Sequence, residues 1–174
     1  MNNENLIGAL ITGFFCKIWP PIGIGAISEI DLQPILQFNN ENEGWLINLA
    51  NNEVNICQVT IPHKTFRGEN LLEDVNRFKR MTKDIHVAYR YYEFTDNRFK
   101  DFIGRELRRI VLNKLPNESV TSIDIHTDRD VLHCFSGADG TQFTTNHFGN
   151  RFFEDFNSFL GDTIEENLKT LQNF

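Results

Sequence analysis

With 174 residues, 40% hydrophobic and 24% charged, the chain has the balance of a folded protein and the length of one ordinary domain. Its formal charge of -7 argues against a general nucleic-acid coat, which needs surplus Lys and Arg to neutralise phosphate. Three widely spaced cysteines, Cys16, Cys57 and Cys134, fit neither a disulfide scaffold nor a paired zinc motif, and point to reduced thiols in the cytoplasm.

The first residues lack the basic stretch of a secretory signal. The apolar run from Leu6 to Cys16 is too short for the roughly twenty residues that cross a bilayer, so no membrane span is expected. Periodicity alone does not decide whether Leu6 to Trp19 is helix or strand. Pro20-Pro21, with Gly23 and Gly25 beyond, predicts a turn or extended connector. Trp45 to Leu49 and Val54 to Ile61 read as two strands of a hairpin, with Asn51-Asn52 supplying the turn.

In the middle of the chain the pattern changes. Asn70 caps a helix with Glu73 three residues on, and Leu71, Val75, Phe78, Met81 and Ile85 fall on one side. The stretch Ile85 to Phe94 keeps helical spacing but has the composition of a strand; a continuing helix is slightly favoured. Asp96 opens another helix carrying Phe99, Phe102, Ile103, Leu107, Ile110 and Val111, which Pro116 ends.

The last third begins with Val120 to His126, alternating as a half-buried strand. Val131–Phe135 and Gln142–Thr145 flank the turn residues Ser136 to Gly140, which predicts a hairpin. Phe148, Phe152, Phe153, Phe156, Phe159 and Leu160 mark an apolar helix face. Asp162 and Glu165 form a capping box for a final helix with Ile164, Leu168 and Leu171 inside. The expected architecture is a single α+β domain over residues 1–174, with antiparallel hairpins packed against three to five helices.

Charge is unevenly spread. Arg67 to Lys114 holds twelve basic and eight acidic residues, a local balance of +4, which leaves -11 on the remainder. Arg105, Arg108 and Arg109 form part of this basic stretch. With Phe152 and Phe156 as aromatic anchors, they are the candidate partner-binding residues. The one candidate metal site is Asp124, His126, Asp128 and Asp130. These four share one parity, so a continuous strand places three carboxylates and an imidazole on one face, a mixed oxygen and nitrogen set for a divalent ion. A turn at Thr127 would break that shared face.

Arg80 and His86 have the Arg-x5-His spacing that resembles the motif of HEPN ribonucleases, which implies action on a 2′-hydroxyl and phosphate, but also a helical bundle that the two hairpins here do not match. His133 and Cys134, adjacent on a strand, point to opposite faces and make poor partners. No catalytic residue set is assigned, and no cofactor beyond the divalent ion at Asp124–Asp130. The favoured function is a cytoplasmic, non-enzymatic protein-binding module, an acidic inhibitor or immunity-type protein facing a basic partner. The alternatives are a metal-dependent phosphoesterase or nuclease using Asp124, His126, Asp128 and Asp130, and a nucleic-acid-associated protein using basic helices within 67–114.

Overall fold

The computed structural model describes residues 5–22, 31–39, 42–50, 53–61, 66–68, 89–94, 99–117, 119–137, 140–146, 161–169 and 171. Within them run eleven strands: β1 (Ile11–Ile22), β2 (Asp31–Phe38), β3 (Glu43–Ala50), β4 (Glu53–Thr60), β5 (Phe66–Gly68), β6 (Tyr89–Phe94), β7 (Arg109–Lys114), β8 (Val120–His126), β9 (Val131–Gly137), β10 (Gly140–Thr145) and β11 (Ile164–Leu168). They form a six-stranded sheet in the order β4-β3-β2-β1-β6-β5 and a five-stranded sheet in the order β10-β9-β8-β7-β11. Every pairing is antiparallel except β5 with β6.

One apolar core draws on both sheets: Phe14, Cys16, Ile18, Leu36, Ile47 and Ile56 from the first, Ile110, Leu112, Ile123, Ile125, Leu132 and Cys134 from the second. Phe99 stacks on Phe14 with ring centroids 4.7 Å apart and lies 5.4 Å from Phe143, so aromatic packing ties the two layers together. Two polar devices also join them. Residues 8–11 bond to 104–107, with Gly104 N–H donating to Ile11 O and Leu107 N–H to Ala9 O. Elsewhere Thr141 Oγ1 accepts from Leu49 N–H at 2.8 Å. Gly104 has φ +81°, a conformation that other residues adopt only at a cost.

The ambiguity at Leu6 to Trp19 resolves as strand because β1 is buried on both faces. Phe14 and Cys16 enter the main core, while Phe15 joins Ile35 and Leu46 in a second cluster on the opposite face of the sheet. A strand buried on both sides reads as an unbroken apolar run. The hairpin around Asn51-Asn52 forms, with Ala50 opposite Glu53; the two asparagines themselves lie outside the described residues. The β9–β10 hairpin forms as well. At Pro20-Pro21 the backbone does not turn but continues β1 to Ile22. There the ladder to β6 shifts register between Lys17 and Ile22, where proline has no N–H to donate.

The expected α+β architecture is overturned. Among the described residues there is no α-helix, only a single 3-10 turn at Lys100–Phe102. The spacing of Phe99 to Val111 predicts a helix, yet the last part is β7, where Ile110, Val111 and Leu112 are successively buried. Ile164 to Leu168 is β11, not a capped helix, and Ile164 is 56% exposed rather than inside. Tyr89–Phe94 is β6, with Tyr92 in the main core and Tyr91 against the second cluster on the other face. A period of two won over the helical spacing at each site. The helices expected at 71–85 and 148–160, and the Arg80/His86 pair, lie outside the described residues. Among the described residues no helix is long and apolar enough to cross a membrane.

Candidate functional site

On β8, Ile123 and Ile125 point into the core, so Ser122, Asp124 and His126 occupy the other face of the five-stranded sheet. The tight β8–β9 connection sets what they meet. Thr127 N–H donates to Asp130 O at 2.9 Å, and Thr127 Oγ1 accepts from Asp130 N–H at 3.1 Å, which closes the loop and fixes the register. Asp124 therefore stands opposite His133.

A polar chain crosses four strands or their ends from that pair. His133 Nδ1 lies 2.9 Å from Asp124 Oδ1, and His133 Nε2 lies 2.9 Å from Asn146 Oδ1. Asn113 Nδ2 donates to Asp124 Oδ2 at 3.1 Å and to Ser122 Oγ at 2.9 Å. Ser122, Asn113 and His133 are all buried. Burial disfavours the imidazolium of His133, but the hydrogen bond and charge of Asp124, with Asn146 at the other nitrogen, outweigh it and raise the pKa. His133 is thus hydrogen-bonded at both ring nitrogens, to Asp124 and to Asn146.

His126 differs. Burial is the largest influence and lowers its pKa; Asp124 opposes, while Arg109 and His133 act in the same direction as burial. Arg109 is its cross-strand neighbour. Asp130 is buried, and its Oδ1 accepts from Val131 N–H at 2.8 Å and Asn146 N–H at 3.0 Å. Asp128 sits at the loop tip, 3.6 Å from Arg105.

The four sequence-predicted ligands thus divide. Asp124 and His126 share a face as expected, but the chain turns at Thr127 and sends Asp128 and Asp130 to other partners. Among the described residues no group of three or more His, Cys, Asp or Glu is placed to hold a metal ion. Of the partner-binding candidates, Arg105, Arg108 and Arg109 lie on the segment entering β7 and on its first residue, not on a helix. Arg105 pairs with Asp128, Arg108 with Glu106 at 3.0 Å, and Arg109 with Glu165 at 2.7 Å. Phe152 and Phe156 lie outside the described residues. Cys134 is in the core, on the face opposite His133, and burial, with a contribution from Asp124, pushes its thiol well up.

A second feature was missed in the sequence: among the described strands, β4 is an edge of the six-stranded sheet. Ile61 N–H donates to Asn42 O at 3.0 Å. By ladder alternation, residues 55, 57 and 59 then also bond toward β3, and Val54, Ile56, Gln58 and Thr60 direct their N–H and C=O groups outward. No described strand lies beyond β4 to receive them. From Val54 to Thr60 there is no charge and no proline, and the pairing with β3 has no bulge. Natural edges usually carry one of these protections. The visible signal was the composition of Val54–Thr60; its place at the edge was not visible.

No family model, curated protein or solved structure matches the chain.

Proposed function

We propose that this chain is a non-catalytic protein-binding module, a two-sheet β protein that receives a strand from its partner at β4. The observation that carries this reading is the row of outward main-chain groups on Val54, Ile56, Gln58 and Thr60, along an uncharged edge. Main-chain bonds of this kind supply affinity in strand addition, and the alternating side chains supply selectivity. The polar residues of the other sheet support it indirectly. Asp124 and His133 are hydrogen-bonded to each other, and Asp130 accepts from the backbone of Val131 and Asn146. The cytosol is the compartment favoured, since none of Cys16, Cys57 and Cys134 is in a disulfide.

The test compares the wild-type protein with Gln58→Pro as baits in the native host's extract. Gln58 N–H faces away from β3, so proline there removes a donor to the partner while leaving the β3–β4 ladder intact. Capture by wild type that is lost in the variant, with thermal unfolding unchanged, is the expected result. Equal capture by both baits removes β4 from the reading. Manganese-dependent cleavage of a phosphodiester that disappears in Asp124→Asn replaces the reading with the phosphoesterase.

A further inference from the structure

Resting on β4 as the binding edge, we infer that its occupant is β4 of a second copy of this chain, paired antiparallel about a two-fold axis at Cys57. A two-fold contact sets the same patch against itself, so any charge on the strand would face or neighbour its own kind. Val54 to Thr60 carries none, and Glu53, the one charge on β4, falls opposite Ile61 of the mate when the axis lies at Cys57. Of the two edge strands of the other sheet, β11 carries Glu165 and Glu166, while β10 is likewise without charge.

The bonding parity selects the register. The outward groups belong to Val54, Ile56, Gln58 and Thr60, which are symmetric about Cys57. Centred there, Val54 of one copy meets Thr60 of the other and Ile56 meets Gln58, so every outward group on the strand is paired. Centring on Ile56 leaves Thr60 without a mate, and centring on Gln58 leaves Val54 without one. Cys57 then faces its own mate in a non-hydrogen-bonded pair, where Cα atoms lie about 4.5 Å apart.

The packing agrees with that register. Cys57, Val59 and Ile61 are only half-buried, at the margin of the second apolar cluster built on Phe15, Ile35 and Leu46. A two-fold mate brings a second such margin alongside and extends the apolar strip across the axis. The two sheets become one continuous twelve-stranded sheet of described strands.

The experiment is sedimentation equilibrium of the full chain at low and high salt, with mild thiol oxidation of the same samples. A chain of charge -7 repels its copy, so the dimer strengthens with salt, whereas a basic foreign partner weakens. Gln58→Pro weakens the dimer about tenfold or more, because one N–H is lost in each copy. Oxidation gives a covalent dimer that Cys57→Ser abolishes and Cys16→Ser does not, since Cys57 mates lie within disulfide reach. A monomer at all concentrations and both salts overturns the second copy as occupant. If Gln58→Pro still abolishes capture from the host extract, β4 remains a binding edge and a different protein fills it. A dimer unaffected by Gln58→Pro and not cross-linked through Cys57 places self-association elsewhere and overturns the inference.

Discussion

Asp124 and His133 face each other across β8 and β9 with 2.9 Å between Oδ1 and Nδ1, and together they hold the centre of a buried polar chain running from Ser122 to Asn146. Removing one member leaves the other buried without its counter-charge. Asp124→Ala is expected to cost about 3 kcal/mol of unfolding free energy. The double variant with His133→Leu recovers part of that, which denaturant melts of the four proteins in a cycle will read.

The two histidines of this face give stability opposite slopes with pH. His133 has a folded pKa above its ordinary 6.5, so its contribution is complete below 6.5 and is lost as pH rises through the raised value. His126 has a folded pKa below 6.5, so its contribution is present above 6.5 and is lost as pH falls through the lowered value. Denaturation midpoints across pH should flatten on the alkaline side in His133→Gln and on the acid side in His126→Gln. Unchanged slopes in both variants would remove these residues from the pH profile.

Thr145 is fully buried, and its Oγ1 is the one buried side-chain polar atom without a hydrogen-bond partner among the described residues. An unsatisfied buried hydroxyl carries its desolvation cost uncompensated. Thr145→Val keeps the shape and is expected to raise stability by about 1 kcal/mol. A destabilised Thr145→Val protein, measured by thermal or denaturant unfolding, would show that the hydroxyl has a role in the fold.

Gly44 allows β3 to approach its neighbours. A Cβ there would lie 2.5 Å from Ile35 Cγ2, 3.1 Å from Ile61 Cδ1 and 3.2 Å from Leu36 O. Two of these are side-chain atoms that belong to, or pack against, the second apolar cluster, and the third is backbone. Gly44→Ala should therefore overpack this face and destabilise by about 1–3 kcal/mol. A melting temperature equal to wild type would mean that Ile35 and Ile61 yield easily.

The hairpins were legible because their strands are rich in β-branched and apolar residues and each turn has residues that accept unusual backbone angles. The β3–β4 pair and the β9–β10 pair are local, and local chemistry specifies them. The failures fall where tertiary pairing decided. Asp162, Ile164, Glu165 and Leu168 satisfy the rules for a capped helix, yet Ile164 to Leu168 pair with β7, where Glu165 meets Arg109 and Glu166 meets Lys114 at 2.6 Å. Ile110 to Leu112 could not be told from a helix face because both sides of that strand are covered. Of the face read for Asp124, His126, Asp128 and Asp130, strand parity holds from Asp124 to His126 and ends at Thr127. The pairing of His133 with Asp124 was not legible because it depends on the length of the intervening loop, which sequence parity does not fix.

Leu6 N–H donates to Lys169 O at 3.1 Å, beside the ladder in which residues 8–11 meet 104–107. On the ribosome, the approach to β1 emerges long before the acceptor for its first bond has been made. This corner must stay open until Lys169 has been made, with Leu10 and Ile11 awaiting residues 104–106 far downstream. Long-range closure of this kind makes folding slow and leaves nascent chains dependent on protection from one another.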